Sequence, residues 1–235
     1  MSARRRLEQL AERHGLAPAA VEALERLLAL LHADPTAPTT VRDPAAAVNA
    51  HVADALVALE LDRVRRARRI ADLGAGAGFP GLVLAAALPD AAVALVEATG
   101  RKCAFLERAA EEMGLGNVEI VHARAESWPE GIGGQHLVTA RAVAPLAVLV
   151  EYAAPLLSLG GALVAWKGRR EREEERDGAA AAAATGLEVG EVRPVEPWIG
   201  AEHLHLHVYV KVASTPNRFP RRPGMASKRP LRAST

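Results

Sequence analysis

From Ile70 onward, short apolar runs alternate with segments of helical period, and no other feature limits the possible folds as strongly. The run "RIADLG" precedes the helical segment "FPGLVLAAAL", and "AAVALVE" precedes "GRKCAFLERAAEEMG". Strands and helices that alternate in this way build a mainly parallel sheet that is covered on both faces. The last two runs, "LEVGEVRPV" and "HLHLHVYVKV", have no helix between them, which predicts an antiparallel strand at one edge of the sheet.

The chain before Ile70 is predicted to be helical. The segment "AAVEALERLLALLH" repeats its apolar residues at helical spacing. Asp43 and Pro44 then fit an N-cap followed by proline at the first helical position. A second amphipathic helix is expected to follow, with an apolar side formed by Val48, Val52, Leu56 and Leu59.

Composition narrows the class of protein. Half of the 235 residues are hydrophobic, so one large domain with a small appendage can bury a sizeable core. Cys103 is the only cysteine, which excludes an intrachain disulfide and favours a reducing cytoplasm. No apolar run is long enough for a membrane span and none follows the basic N-terminus, so we expect neither a transmembrane helix nor a signal peptide.

Positive charge is concentrated in two places, although the net charge is only +1. Residues 63–69 contain five arginines, which we interpret as a solvated helix end. Residues 214–235 contain six basic residues, four prolines and no acid. Such a segment is too polar and too rich in proline to fold by itself, so we expect a flexible arm that binds an anionic polymer.

The stretch "IADLGAGAGFPGLVLA" places a glycine-rich turn between the first predicted strand and the helix after it. An open α/β sheet binds ligands beyond the carboxyl ends of its strands, and glycines there let the backbone approach a ligand closely. Counted from Gly74 the turn reads G-x-G-x-G, which suggests S-adenosylmethionine. Counted from Gly76 it reads G-x-G-x-x-G, which suggests a dinucleotide.

Three further residues bear on that choice. Glu97, at the end of the second predicted strand, can accept hydrogen bonds from both hydroxyls of a ribose, which either cofactor carries. Pro80 interrupts the dinucleotide pattern, and the negative charge of Asp72 favours a ligand with an ammonium or sulfonium group. The balance favours S-adenosylmethionine over a dinucleotide and over a tight turn without a ligand.

Several blocks of the sequence resemble one known family. "DLGAGAGFPG" is similar to the cofactor loop of the RsmG family, which is also called GidB. The other similar blocks are "TTVRDPAAAVNAHVADAL", "RKCAFLERAAEEMGLGNVEIVHARAE", "TARAVAPLAVLVEYAAPLLSLGGALVAWKG" and "NRFPRRPGMASKRPL". Two departures are local: Pro38-Thr39 stands where the family usually has Asn-Leu, and Asn49 stands near a usual arginine.

The resemblance implies a Rossmann-like class I methyltransferase of the α/β class, with a central, mainly parallel, seven-stranded sheet preceded by N-terminal helices. It implies transfer of a methyl group from S-adenosyl-L-methionine to N7 of the guanine at position 527 of 16S ribosomal RNA. The implied partner is 16S rRNA, the small ribosomal subunit or an assembly intermediate, bound by a cytoplasmic monomer with no membrane partner. We expect a helical segment over residues 1–65, the methyltransferase domain over 66–213 and the basic tail over 214–235.

The resemblance also assigns site residues by their position in the motifs. The cofactor-binding residues are expected to be Gly74, Gly76, Gly78, Phe79, Glu97, Ala125, Glu126 and Arg141. Glu126, or the backbone near Ala125, would read the adenine edge. Arg141 would contact the cofactor carboxylate, the guanine or its phosphate, and a structural salt bridge is the competing interpretation. RNA contacts are expected from Lys167, Arg218, Arg221, Arg222, Lys228 and Arg229.

The chemistry that this family performs agrees with what the sequence contains. Guanine N7 has a free lone pair, so the reaction needs no general base and depends on alignment of N7, methyl and sulfur. The fourth predicted strand ends in "TARA", without the Asn/Asp-Pro-Pro-aromatic motif that methylates exocyclic amines. Cys103 lies in an amphipathic helix and is predicted to be a core residue, not a nucleophile. His203, His205 and His207 alternate along a predicted strand and would face one side, but no metal is expected.

Three alternatives stay open at this point. A methyltransferase of the same Rossmann-like fold could act on another RNA or on a non-RNA substrate, but the basic tail argues against the latter. A dinucleotide oxidoreductase could use the same loop, although Pro80 and Asp72 argue against it. A non-catalytic RNA-binding protein could retain the fold, although the intact loop and Glu97 argue against it. The sequence does not distinguish naked RNA from a ribosomal particle as the substrate.

Overall fold

The computed structural model describes residues 2–233, and its centre is one seven-stranded sheet in the order β3-β2-β1-β4-β5-β7-β6. The strands are β1 (Arg69–Leu73), β2 (Ala92–Glu97), β3 (Val118–His122), β4 (Gln135–Arg141), β5 (Leu157–Lys167), β6 (Leu187–Val195) and β7 (Leu204–Lys211). Met1 of the predicted helical segment and Ser234 and Thr235 of the predicted tail lie outside the described residues.

The sheet is mainly parallel, as predicted. The pairs β1–β2, β2–β3, β1–β4 and β4–β5 are parallel, whereas β7 runs antiparallel to both of its neighbours. The expectation that the antiparallel strand lies at the edge is wrong, because β7 is second from the edge. The helical crossover from β5 to β6 keeps β6 in the parallel direction, and the returning β7 fills the gap between those two strands.

Helices cover both faces of the sheet. They are α1 (Ala3–His14), α2 (Pro18–Ala33), α3 (Pro44–Ala47), α4 (Asp54–Leu56), α5 (Asp62–Arg65), α6 (Gly81–Ala87), α7 (Gly100–Met113), α8 (Leu146–Leu156), α9 (Arg172–Thr185) and α10 (Met225–Lys228). The predicted start at Asp43 is confirmed, because its side chain accepts a hydrogen bond from the Ala46 N–H. Within residues 2–233, every helix is too short or too polar to cross a lipid bilayer.

The second predicted helix is irregular. A π-helical turn, Val48–Ala53, joins α3 to α4, and a 3₁₀ turn, Val57–Glu60, follows α4. The four predicted apolar residues are buried, but Ala55, Val57 and Ala58 are buried as well. From residue 51 to residue 59 the segment is therefore buried on all sides and not amphipathic, since it is enclosed between α1 and α2 on one side and α6 on the other.

Alternate residues of the strands enter two separate cores. Ile70 and Val93 point into the core that α1, α2, α6 and α7 cover, and Ala71 and Ala94 point into the core under α8 and α9. Such alternation follows from the period of two in a strand. The central strands β1, β2 and β4 thereby become buried on both faces, and the carboxyl ends of the parallel strands meet at one edge, which we call the carboxyl edge.

Residues 214–233, which we call the C-terminal wrap, pack across α8. Phe219 and Ala226 of this segment are buried, and the Arg221 Nε donates to Glu151 Oε1 of α8 over 2.6 Å. The Ser227 and Tyr152 hydroxyls lie 3.1 Å apart. The expectation of a flexible tail therefore does not describe these residues, because partners on the folded core supply the contacts that the polar segment cannot make by itself.

Candidate active site

The carboxyl edge brings together all the predicted cofactor residues. Parallel strands that pair side by side end at the same edge of a sheet, and β3, β2, β1 and β4 are neighbours in that order. The residues are Gly74, Gly76, Gly78 and Phe79 after β1, Glu97 at the end of β2, Ala125 and Glu126 after β3, and Arg141 at the end of β4.

The turn after β1 has a backbone that only glycine adopts readily. The φ angles are +67° at Gly74, +58° at Gly76 and +92° at Gly78. A Cβ at Gly74 would lie 2.8 Å from the Cγ2 of Val143, in the loop after β4. At Gly76 the nearest atom to such a Cβ is a backbone oxygen at 3.6 Å, so open space adjoins the turn there.

Asp72 lies beneath this turn and closes it. The carboxyl group is fully buried, with its Oδ2 accepting from the Gly81 N–H at 3.0 Å and its Oδ1 accepting from the Thr139 hydroxyl at 2.8 Å. Burial raises the pKa of Asp72 to about 7, against the effect of these two hydrogen bonds. The expectation that Asp72 attracts an ammonium or sulfonium group is wrong, since its oxygens face the protein interior.

Glu97 is the carboxylate that faces the turn from β2. Its Oε2 accepts from the Gly76 N–H at 3.1 Å, and its Oε1 accepts from the Thr99 N–H at 2.8 Å. The Lys102 Nζ lies 3.9 Å from Oε2. A carboxylate oxygen has two lone pairs, so each oxygen retains capacity for one hydroxyl group of a ribose. The residues at this point therefore fit a nucleoside cofactor.

Phe79 connects the turn to the N-terminal helical segment. The ring is buried and stacks on the His51 imidazole, with centroids 4.4 Å apart and planes at 18°. The Arg141 guanidinium carbon lies 5.4 Å from the centroid of the same ring. Phe79 therefore anchors the turn against the π-helical segment, instead of being free to receive a ligand.

Arg141 makes the salt bridge that was the competing interpretation of the sequence. Its Nη1 donates to Asp54 Oδ2 at 2.7 Å and to the Ala50 carbonyl at 3.0 Å, and the Asp54 carbonyl accepts from the Trp166 indole N–H at 2.8 Å. Burial raises the pKa of Asp54, and the charge of Arg141 opposes that shift. The guanidinium is thus fixed at the end of β4.

The sequence reasoning assigned no role to His51 and Asp54. Burial and the charge of Arg141 lower the pKa of His51 to about 4, so the imidazole is neutral near pH 7. The Thr39 hydroxyl lies 2.9 Å from its Nε2, and the Arg141 Nη2 lies 3.4 Å from its Nδ1. Two polar residues three positions apart in an otherwise apolar segment are the signal that could have identified this cluster, because helical spacing places them on one side.

The turn after β3 connects the carboxyl edge to the C-terminal wrap. Ala125 and Glu126 begin a short 3₁₀ turn, and Glu126 Oε1 accepts from the Gly224 N–H at 2.8 Å. Within residues 2–233 the other carboxylate oxygen of Glu126 accepts no hydrogen bond. The basic wrap therefore reaches the same edge of the sheet as the glycine turn.

The predicted RNA-binding residues fall into two groups. Lys167 forms an ion pair with Glu174 at 2.6 Å, and Arg221 is paired with Glu151, a carboxylate that is only 2% exposed. In contrast, the remaining predicted residues are exposed and form no ion pair within the described chain. They are Arg218, Arg222, Lys228 and Arg229.

The other residues singled out from the sequence have structural positions. Cys103 is buried and its thiol donates to the Glu97 carbonyl at 3.3 Å, which confirms the predicted core role. His203 precedes β7 with a φ of +61°, so only His205 and His207 share a side of that strand, which corrects the expected triplet. Among residues 2–233 no group of three or more possible ligands could hold a metal ion.

Comparisons with known proteins agree on one family. The GidB family model, described as rRNA small subunit methyltransferase G, matches residues 21–199. Ribosomal RNA small subunit methyltransferase G of Rubrobacter xylanophilus is 41% identical over 197 residues, covering 81% of this chain and 76% of its own length. The protein of the same name from Chloroflexus aggregans is 43% identical over 200 residues, covering 82% of each chain.

A solved structure agrees with the fold. An S-adenosylmethionine-dependent O-methyltransferase from Thermotoga maritima superposes with a TM-score of 0.54 at 18% identity. The superposition covers 69% of this chain and 66% of the other. At this level of identity the likeness concerns the Rossmann-like fold and not the substrate.

Proposed function

The chain belongs to the GidB family of small-subunit ribosomal RNA methyltransferases G, and from this premise we propose that it methylates N7 of the guanine at position 527 of 16S ribosomal RNA. The methyl donor of the family is S-adenosyl-L-methionine. The observation that carries the proposal is the carboxyl edge, where a buried carboxylate, Glu97, is hydrogen-bonded to the backbone of the glycine turn at Gly76. This combination supports a nucleoside-containing donor.

Each part of S-adenosyl-L-methionine can be matched to residues at the carboxyl edge. Glu97 would accept hydrogen bonds from the ribose hydroxyls, and the backbone from Gly74 to Gly78 would accommodate the methionine portion. The backbone at Ala125 and the free oxygen of Glu126 would meet the adenine edge. Arg141 would contribute through its fixed position beside Phe79, with Asp54 neutralising its charge.

The chemistry supports an enzyme without a general base. When bound, S-adenosyl-L-methionine would supply an electrophilic methyl group to the lone pair of guanine N7, with the electrons of the broken sulfur–methyl bond staying on the departing S-adenosylhomocysteine. The positive charge passes from sulfur to the guanine ring, and no proton is released. The protein then has to align the two partners and exclude water. The neutral His51 imidazole does not need to act as a base, because both of its nitrogens lie beside protein partners, Thr39 and Arg141. Its position therefore agrees with a reaction that needs no general base.

The acceptor is proposed to bind along the C-terminal wrap. Its exposed cations, Arg218, Arg222, Lys228 and Arg229, can pair with RNA phosphates, and the Gly224–Glu126 hydrogen bond holds the wrap at the carboxyl edge. Lys167 and Arg221 would contribute to RNA binding indirectly, because their ion pairs with Glu174 and Glu151 hold the surrounding surface in position. We further propose a cytoplasmic monomer with a helical segment over residues 1–65, a methyltransferase domain over 66–213 and a basic segment over 214–235.

The proposal is tested by mapping the methylated base. The protein is incubated with labelled S-adenosyl-L-methionine and either naked 16S RNA or small-subunit particles, and N7-methylguanine is located by cleavage at the modified base. We expect a single modified guanine, at position 527, in at least one of the two substrates. Label on another nucleotide, on another RNA or on a protein would replace the proposed acceptor, and unlabelled substrates would refute transfer to ribosomal RNA.

A further inference from the structure

The arginine run, residues 63–69, lies at the amino edge of the sheet, where β1 begins, opposite to the carboxyl edge. Arg66 is 3.4 Å from Asp62 and Arg68 is 3.2 Å from Asp90, in pairs whose side chains are more than 60% exposed. Exposed pairs of this kind contribute little and are easily exchanged for another anion. Arg63 and Arg69 form no ion pair within the described residues, so the run presents an excess of positive charge.

A pair of adjoining grooves connects the arginine run to the C-terminal wrap. One groove, of about 320 Å³, is lined by Arg63, Arg66 and the turn at residues 158–161. The next, of about 350 Å³, is lined by Asn217 and Phe219 of the wrap. Leu159 lines both grooves and is 68% exposed, so a single turn separates the arginine run from the start of the wrap.

The exposed cations of the wrap continue from this turn towards the carboxyl edge. Arg218 lies with its guanidinium carbon 5.1 Å from the centroid of Phe219, and Arg222, Lys228 and Arg229 follow. The wrap reaches the carboxyl edge at Gly224. At about 3.3 Å per residue, β5 from Leu159 to Lys167 spans about 26 Å, which is the distance between the two edges on this side of the molecule.

We infer that the arginine run and the C-terminal wrap form one continuous track for RNA phosphates, which leads from the amino edge to the methyl-transfer site. This inference rests on the proposed RNA substrate. Guanidinium groups pair with phosphate oxygens in a bidentate fashion, and a row of them follows a polyanionic backbone without reading its sequence. An acidic protein is a weaker fit, because the track ends beside the glycine turn and Glu126, where the base to be methylated has to arrive.

The test removes charge from the amino edge alone. The variant Arg63→Gln, Arg66→Gln, Arg69→Gln is compared with Arg5→Gln, Arg26→Gln, Arg108→Gln, which removes the same charge from α1, α2 and the middle of α7, away from the grooves and from the C-terminal wrap. The dissociation constant for full-length 16S RNA is measured over a range of salt concentrations. Thermal melting and the affinity for S-adenosylhomocysteine are measured on the same samples, and both should match the wild type.

Each phosphate contact with single-stranded RNA adds about 0.7 to the slope of log affinity against log salt. We therefore expect the amino-edge variant to lose about two units of slope and about tenfold in affinity at physiological salt, while the control variant loses far less. Equal slopes in the two variants would overturn the track. A wild-type protein that methylates either 16S RNA or small-subunit particles keeps that result separate from the proposed function, and one that methylates neither would refute the proposed function itself. If the triple variant folds poorly, the single variant Arg69→Glu is measured instead. It reverses the charge at one exposed residue, which is a larger change at that residue than Arg69→Gln makes.

Discussion

The glycine turn and the C-terminal wrap are both ligand surfaces, but they are built in opposite ways. The turn is held by buried groups, with Asp72 and Glu97 each accepting backbone N–H groups from it. The wrap is held at a few anchors, chiefly Arg221 on Glu151, and leaves its other cations exposed. The affinity for S-adenosyl-L-methionine should therefore depend on the geometry of the turn and little on salt. The affinity for RNA should depend on the number of exposed charges and strongly on salt.

The largest effect is expected at Gly81, where the turn meets α6. A Cβ there would lie 2.2 Å from Leu95 Cδ2 and 2.8 Å from Asp72 Oδ2, so Gly81→Ala has to displace the turn. A displacement of about 1 Å costs about 100-fold in the rate of a reaction that depends on alignment, so we expect at least that loss in the rate of methylation, together with weaker binding of S-adenosylhomocysteine by calorimetry. Gly116→Ala is the matched control, since its Cβ would meet nothing within 4 Å. Wild-type affinity in Gly81→Ala would contradict the rigid turn.

The next effect is expected at Arg141. Arg141→Ala leaves the largely buried Asp54 carboxylate without its cation, and unfolding by denaturant should show a loss of about 3 kcal/mol. The double variant Asp54→Asn, Arg141→Gln should regain most of that stability, because no charge is left unpaired. Methylation by the double variant then reports the role of the guanidinium itself. If Arg141→Ala alters neither cofactor affinity nor methylation, the cluster is not part of the site.

A smaller effect, confined to RNA, is expected from the wrap. Arg222→Gln, Lys228→Gln, Arg229→Gln should weaken binding of 16S RNA about tenfold at physiological salt and leave cofactor affinity unchanged. This variant tests the wrap better than deletion of residues 214–235, which would also expose the Glu151 carboxylate and the pocket of Phe219. A parallel loss of cofactor affinity would mean that the two regions are not independent.

The smallest change in activity is expected from Asp72→Asn, whose main effect should be on how the free energy of unfolding depends on pH. Since burial raises the pKa of Asp72 to about 7, the folded state keeps a proton that the unfolded chain releases above about pH 4. This proton contributes stability that is present below about pH 4 and is lost as the pH rises to about 7. His51, whose pKa is lowered to about 4, acts in the opposite direction over a similar window.

The comparison between Asp72→Asn and the wild type isolates the first of these two contributions. Urea unfolding from pH 4 to pH 7 should show that the stability of the wild type falls relative to that of the variant as the pH rises. A constant difference between the two proteins over this range would contradict a buried, protonated Asp72.

The sequence was sufficient for much of the fold and for the edge of the sheet at which the predicted site residues meet. Local period identified the strands and most helices, and parallel pairing then placed Gly76, Glu97 and Arg141 at one edge. The position of β7 was predicted wrongly, because local period does not specify which strands become neighbours. His51 gained its role only from contacts with residues far along the chain, Phe79 and Arg141.

The C-terminal wrap shows the same limit more clearly. Composition predicted a flexible segment that cannot fold by itself, yet Glu151, 70 residues away, supplies a buried carboxylate for Arg221. A single sequence contains no local signal for such a pair. The result changes the interpretation of the tail from a flexible arm to a surface with a defined position, and it leaves its exposed cations available to RNA.

The contrast between the two regions is tested most directly by one salt titration of the wild-type protein. The affinities for S-adenosylhomocysteine and for 16S RNA are measured side by side from low to high ionic strength. We predict that RNA affinity falls steeply, with a slope of about four or more that reflects the exposed cations of the wrap and the arginine run, while cofactor affinity stays nearly constant. Parallel slopes for the two ligands would contradict the account.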